Sequence, residues 1–291
     1  METVLVTGHA GFIGHHLAYA LKKNYKVIGV DNLIGGIPDY PYGVDRFHQI
    51  EVAEITPKHL RDVKYVFHLA ALPRVPFSIE QPKLTHINNV NATLDLLIKC
   101  RDAGVKKFIY SSSSSAYGSG SLDALREDGP TNPLSPYAVQ KLAGEHYTTV
   151  FNNIYGMPTA SLRYFNVFGD EQREDNPYTG VITKFFKLAR EGKPLTVYGD
   201  GLQSRDFTFV GDVVKANIMV AESDATGVFN VGTGKSTTVL EIARAISSNV
   251  VREPERLGDP KFSLADNTKL RSLGWSPKTE VLSWIQSKKN A

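Results

Sequence analysis

Tyr137 and Lys141 stand four residues apart in the segment SPYAVQKLAGEHY, 24 residues after Ser113 in the run Ser111–Ser115. Four residues is about one helical turn, so on a helix the phenol and the ammonium project from one face. Such a pair is an acid/base device, because a nearby cation stabilises a phenolate and lowers the Tyr pKa toward neutrality. A serine hydroxyl held nearby bonds the oxygen that gains or loses the proton. The same spacing is common on solvated helices, so the pair takes its meaning from what positions it.

The first residues of the chain supply a partner. Glu2-Thr3-Val4-Leu5-Val6-Thr7 reads as a short buried β-strand, continuous and β-branched. It runs into Gly8-His9-Ala10-Gly11-Phe12-Ile13-Gly14, a GxxGxxG loop that opens an amphipathic stretch with Phe12, Leu17 and Leu21 as its apolar members. A second strand, Lys26-Val27-Ile28-Gly29-Val30, ends in Asp31-Asn32. Glycines are needed there so that backbone can approach a pyrophosphate, which sits at a helix N-terminus where free N–H groups point at it. Asp31 lies 17 residues past Gly14. A carboxylate at that place bonds the adenosine ribose hydroxyls and repels a 2′-phosphate. The order strand, glycine loop, helix, strand, acid therefore favours NAD over NADP.

Bulk properties agree with a soluble, cytoplasmic enzyme. A chain of 291 residues, 42% hydrophobic and 22% charged, can bury a sizeable core as one large domain or two intimate ones. The net charge of +3 is too small and dispersed to argue for nucleic acid, and it would not repel an anionic substrate. The single cysteine, Cys100, excludes an internal disulfide and reads as packing. No apolar run reaches membrane-spanning length and no signal peptide is visible. The eight histidines, among them His15, His16 and His68, lack metal-ligand spacing and read as structural, so no metal is expected.

Strands and helices alternate in the doubly wound manner of an α/β protein with a parallel Rossmann sheet. Further strands are expected over Tyr65–Ala70, Lys107–Ser112 and Ser161–Phe165, and helices over His86–Cys100 and Tyr137–Phe151. In such sheets ligands bind at the carboxyl ends of the strands, where the glycine loop, Ala70-Ala71 and the serine run would meet. From about Asn166 Gly and Pro become frequent and the alternation fades, which points to a smaller, interleaved α/β substrate-binding domain. Gly232-Thr233-Gly234-Lys235-Ser236 has the end of a phosphate loop, but Phe229 stands where GxxxxGKS needs its first glycine.

The segments TGHAGFIG, DNL, VFHLAA, NNVNATLDLL, YSSSSSAYG, SPYAVQK, LRYFNVFG, YGDGLQSRDFTFV, FNVGTG and RLGDPKFSLADNTKLRSLGWSP run end to end. Through them the chain resembles an extended short-chain dehydrogenase/reductase of the NAD-dependent sugar epimerase/dehydratase family. The resemblance makes Tyr137 and Lys141 the family's YxxxK pair and Ser113 its catalytic Ser/Thr. It implies NAD along Gly8, Gly11, Phe12, Ile13, Gly14, Asp31, Asn32, Leu69, Ala70, Ala71, Tyr137 and Lys141. It also implies a nucleotide sugar held by Asn166, Val181, Tyr198, Arg205, Arg256 and Asp259. The expected domains are 1–165 for NAD, with part of 205–231 interleaved, and 166–291 for the nucleotide sugar. One departure stands out: the family's adenine-contacting Gly-Asp-Ile/Leu stretch is Ile50-Glu51-Val52-Ala53-Glu54 here.

The resemblance also bears on the reaction. The family's 4,6-dehydratases carry Asp-Glu directly after the catalytic Ser/Thr, whereas this chain has Ser114-Ser115, which cannot serve as a carboxylic acid/base pair. SSSSSAYG with LRYFNVFG resembles instead the UDP-hexose 4-epimerases. In those enzymes the residue four past the Asp of RxGD lines the pocket at the sugar C2 group, and a Tyr there excludes an N-acetyl group. Counting from Asp259 gives Ser263, a small residue that leaves room for an acetamido group. The expectation is a UDP-sugar 4-epimerase that accepts UDP-GlcNAc/UDP-GalNAc and UDP-Glc/UDP-Gal.

Arg74, just after the third strand, suits sugar hydroxyls, a phosphate or a C6 carboxylate, and so keeps a UDP-uronic acid epimerase or decarboxylase as an alternative. A non-catalytic NAD-binding regulator on the same fold is the alternative of another class; such proteins typically lose the Tyr or Lys that this chain retains. The helices His86–Cys100 and Tyr137–Phe151 match those that form a four-helix bundle in family homodimers, so a homodimer is expected.

Overall fold

The computed structural model describes residues 1–35, 43–73, 75–120, 123–174, 179–255 and 261–289. The strands are β1 (Thr3–Thr7), β2 (Lys26–Asp31), β3 (Arg46–Gln49), β4 (Val63–His68), β5 (Lys107–Ser113), β6 (Thr159–Tyr164), β7 (Val167–Phe168), β8 (Leu195–Tyr198), β9 (Ser204–Arg205), β10 (Thr208–Phe209), β11 (Gly227–Val231), β12 (Thr237–Thr238) and β13 (Val250–Glu253). The helices are α1 (Phe12–Leu21), α2 (Val75–Glu80), α3 (Pro82–His86), α4 (Ala92–Asp102), α5 (Pro136–Tyr155), α6 (Val181–Arg190), α7 (Val210–Glu222), α8 (Val239–Ile246), α9 (Thr268–Arg271) and α10 (Val281–Lys289). The chain divides into two compact units, each drawn from three stretches of sequence.

The first unit comprises Met1–Ala116, Pro133–Arg163 and Val214–Phe229. Its sheet has seven strands in the order β11-β6-β5-β4-β1-β2-β3. β1 lies parallel between β2 (Thr3 against Lys26 through Thr7 against Val30) and β4, and β4 lies parallel to β5. A strand covered on both faces must be apolar throughout, and Val4, Leu5, Val6, Val66, Phe67, Phe108 and Ile109 are all fully buried. Leu96, Leu97, Cys100 and Phe151 close the core from α4 and α5. The chain order reverses between β1 and β4, the switch point at which such sheets open a ligand crevice.

Two elements differ from the sequence expectation. The helix expected over His86–Cys100 starts at Pro82 and runs through a π turn, Ile87–Asn91, before α4 begins. The extra residue of that turn brings Asn89 inside. There its amide accepts from Leu72 N (2.7 Å) and donates to Leu72 O (3.2 Å) and Gln140 Oε1 (2.8 Å). Strand β3 was not expected because it is an exposed sheet edge with no apolar alternation.

The second unit comprises Tyr117–Asn132, Tyr164–Val213 and Asn230–Ala291. Phe168, Ile182, Phe185, Leu195, Val197, Ile242 and Ile285 form its core, with α6 and α8 packed on β8 of the parallel pair β8–β13 and α10 packed on α8. No helix among the described residues is long and apolar enough to cross a membrane.

Candidate active site

The glycine loop turns sharply out of β1. Gly8 takes φ +69°, and its N–H donates to Val30 O at 2.8 Å. A Cβ at Gly8 would stand 2.6 Å from Ala70 N, and one at Gly14 only 2.0 Å from Gly8 O. Both positions are therefore closed to any side chain. Gly11 is the N-cap of α1 and offers no side-chain acceptor, so the first amides of the helix keep their capacity to bind an anion.

Asp31 ends β2 largely buried, and its carboxylate accepts from Ala10 N (3.0 Å) and Leu33 N (2.8 Å). Asn32 donates to both oxygens of Glu51 (3.0 Å each), and Glu51 in turn shares a capping box with Glu54. Glu51, in the stretch that stands where the family carries its Gly-Asp-Ile/Leu, is thus turned onto Asn32. Across the crevice, Leu69 N donates to Thr7 O (3.1 Å) and Ala70 N to Thr7 Oγ1 (3.2 Å), with Ala71 next in the chain. A cradle that a Cβ would fill, an open helix N-terminus and an acid at the end of the adjacent strand together fit a dinucleotide without a 2′-phosphate.

The acid/base residues gather at the carboxyl end of β5. Ser135 caps α5 by accepting from Ala138 N (3.2 Å), and Pro136 occupies the first turn, where its missing N–H costs nothing. Tyr137 and Lys141 then follow on one face. The Ser113 hydroxyl, which accepts from Ser115 N (3.2 Å), lies close enough to the Tyr137 phenol to favour its ionised form. Lys141 Nζ donates to Ser111 O at 2.7 Å, lies 5.0 Å from the Tyr110 ring centre and 6.0 Å from that of Tyr137. Ser115 Oγ is buried beside them without a hydrogen-bond partner.

Burial dominates the electrostatics of the pair. Burial pushes the Tyr137 phenol up to about 12, with the Ser113 hydroxyl pulling weakly the other way. Burial also pulls Lys141 down to about 8, opposed by the Glu145 carboxylate. For both groups desolvation is the larger effect.

The second unit brings a different group together. Arg205, in β9, donates to Ser204 O (2.9 Å) and Lys261 O (3.5 Å), and Ser263 O accepts from Asp206 N (2.7 Å). Residues 204–206 therefore run alongside 261–263. Asn166, at φ +28°, donates to Asp206 O (3.2 Å). Val181 opens α6 against the core, and Tyr198 closes β8, where its carbonyl accepts from Gln203 Nε2 (3.0 Å). Arg74, Arg256 and Asp259 lie outside the described residues.

Asp206 was not singled out in the sequence. Its buried carboxylate accepts from Thr233 N and Oγ1 (2.7 Å each), Gly234 N (2.9 Å) and Ala265 N (3.2 Å). The amides of the loop with a phosphate-loop ending are thus taken up by an internal acid. The one available signal was an acid inside the apolar run DFTFV.

Residues 4–232 match the model of the NAD dependent epimerase/dehydratase family. The UDP-glucose 4-epimerase of Mycolicibacterium smegmatis is 36% identical over 299 residues, covering 97% of this chain and 95% of its own. Among solved structures, the UDP-N-acetylglucosamine 4-epimerase of Methanobrevibacter ruminantium, in complex with UDP-N-acetylmuramic acid, aligns with a TM-score of 0.93 and 40% identity, covering 98% of this chain and 96% of the other. The UDP-glucose 4-epimerase of Thermotoga maritima with UDP-glucose aligns at 0.92 and 35%, with the same coverages. The chain belongs to the NAD-dependent epimerase/dehydratase family, and its cofactor is NAD.

Proposed function

We propose that this protein is a UDP-sugar 4-epimerase that inverts C4 through a 4-keto sugar. The observation that carries the proposal is the gathering of Ser113, the Tyr137 phenol and the Lys141 ammonium at the carboxyl end of β5, in the unit that holds the glycine cradle. Tyr137 exchanges a proton with the sugar O4, and Ser113 hydrogen-bonds that oxygen. NAD, when bound, supplies the acceptor and donor for the C4 hydride. Lys141 provides the positive charge that a phenolate at Tyr137 requires in a buried place. Ser114 and Ser115, where a dehydratase needs two carboxyl groups, argue against elimination of water.

In this reading the first unit carries NAD, and the second clamps the UDP diphosphate through Arg205 and Arg256, since guanidinium geometry matches phosphate oxygens. Asn166, Val181, Tyr198 and Asp259 belong to the same clamp. Ser263 is the gate at C2, and its small side chain supports acceptance of UDP-GlcNAc/UDP-GalNAc as well as UDP-Glc/UDP-Gal. The protein acts as a homodimer through α4 and α5, supported by apolar side chains left exposed on both helices. A cytoplasmic location belongs to the same reading. Incubation of the purified protein with UDP-GlcNAc, UDP-Glc and UDP-glucuronic acid, with chromatographic separation of products, tests the function. C4 epimers of the first two are expected, and no conversion of any of the three would overturn it.

A further inference from the structure

A buried charge cluster lies directly beneath the acid/base residues. Glu145 sits on α5 one turn beyond Lys141, and Arg163 reaches it from β6 with two parallel bonds, Nε to Oε1 (2.8 Å) and an Nη to Oε2 (2.7 Å). The two side chains are only 3% and 4% exposed. Ser112 Oγ donates to the same Oε1. Ser112 immediately precedes Ser113, and Lys141 Nζ holds Ser111 O, so α5 grips two successive residues of β5 just before the reacting hydroxyl. Two charges this deep cost free energy to desolvate, and buried pairs of this kind are often replaceable by apolar side chains without loss of stability, so the pair invites a role beyond stability.

We propose that Glu145, gripped by Arg163, is the positioning residue of this site: through Ser112 it pins α5 to the end of β5 and sets its carboxylate one turn from the buried Lys141 side chain. The inference rests on the epimerase reading only for its kinetic consequence. Among the described residues, the groups that face Lys141 are the Tyr110 ring and Ser111 carbonyl of β5, His68 of β4, and Tyr137 and Glu145 of its own helix, with Arg163 of β6 behind Glu145. His68 is held neutral by burial. Glu145, held in two parallel bonds by the Arg163 guanidinium, is the one carboxyl group in this set. Its charge opposes the burial that draws Lys141 down to about 8.

Glu145→Gln keeps the shape and removes the charge. In spectra of the full chain with 13C-labelled lysine, Lys141, assigned by its loss in Lys141→Arg, should titrate about one unit or more below the parent. The alkaline limb of kcat/KM should fall by the same amount, and Glu145→Asp should restore both. An unchanged Lys141 midpoint in folded Glu145→Gln overturns the proposal. A shifted midpoint in a protein whose parent turns over no UDP-sugar sinks the epimerase reading and leaves this inference standing. If Gln at 145 does not fold, Arg163→Lys keeps both charges but loses the two-pronged grip. Its kcat should fall about tenfold or more, as misplacement of a reacting group costs, with KM little changed; parental kcat in that variant overturns the positioning role.

Discussion

At the scale of single residues, burial sets the protonation states on which the proposed chemistry depends. Tyr137, at about 12, is a neutral phenol across the physiological range, and Lys141, at about 8, is mostly an ammonium there. Tyr137→Phe removes the proton carrier while keeping the ring, so turnover should drop by about 100- to 10,000-fold, the usual weight of general acid–base catalysis. Denaturing the variant and quantifying the released NAD should show parental occupancy; near-parental turnover would refute the assigned role. His68 makes a separate claim. Its ring bridges Thr7 Oγ1 (2.7 Å) and Thr93 Oγ1 (2.9 Å), fully buried, and burial lowers it to about 3. Between about 6.5, where the unfolded chain protonates, and about 3, the unfolded state binds a proton that the folded state refuses. Stability is therefore lost as pH falls through that window, by about 2 kcal/mol at pH 5 from this residue alone. Urea titrations at pH 7 and pH 5 should differ by that amount more in the parent than in His68→Gln, and equal differences would remove His68 from the account.

At the scale of elements, the second unit builds the proposed clamp from pieces too short to be read from pattern. β9 has two residues, and it is held in place by the run 261–263 and by Asp206, on which residues 233, 234 and 265 converge. Ser263 is consequently fixed by backbone on a segment that cannot easily retreat. Ser263→Tyr should then cut kcat/KM for UDP-GlcNAc by about tenfold or more relative to UDP-Glc, the order that a steric mismatch in a pocket commands. Equal losses on both sugars would count against the gate. The contrast with the first unit explains what was legible in the sequence. Its strands are continuous apolar runs, and Gly8, Gly14, Asp31 and the Ser113, Tyr137, Lys141 set are local patterns that carry their own geometry. Glu145, Arg163, His68 and Asp206 were not legible as a supporting set, because each acquires meaning only from a partner distant in sequence: 18 residues separate Glu145 from Arg163, and 59 separate Asp206 from Ala265. The π turn at Ile87–Asn91 was hidden for a similar reason, since Asn89 is drawn inward by Leu72 and Gln140 rather than by any neighbour in its own helix.

At the scale of the whole molecule, two helices of the first unit carry more apolar surface than their own core uses. Along the stretch Pro82–Asp102, Leu84, Ile87 and Ile98 stay exposed, and along α5 Val139, Val150 and Ile154 do so at the spacing of one helical stripe. Their opposite faces are spent on the sheet: Leu96, Leu97, Cys100 and Phe151 are buried there. Scattered exposed apolar residues need no explanation, but two stripes on helices packed against each other do. A second copy meeting the first about a two-fold axis would bring both pairs of helices together and cover all four stripes at once. Light scattering on the eluting protein should accordingly give about 64 kDa, twice the chain mass of 32.1 kDa. Val150→Glu places two like charges in such an interface, one from each copy, at a position whose exposure in the single chain makes the substitution harmless to folding. It should yield a folded monomer of about 32 kDa, with far-ultraviolet circular dichroism unchanged. A parent chain that elutes as a monomer at micromolar concentration would exclude the dimer, and a Val150→Glu chain that remains dimeric would move the interface elsewhere.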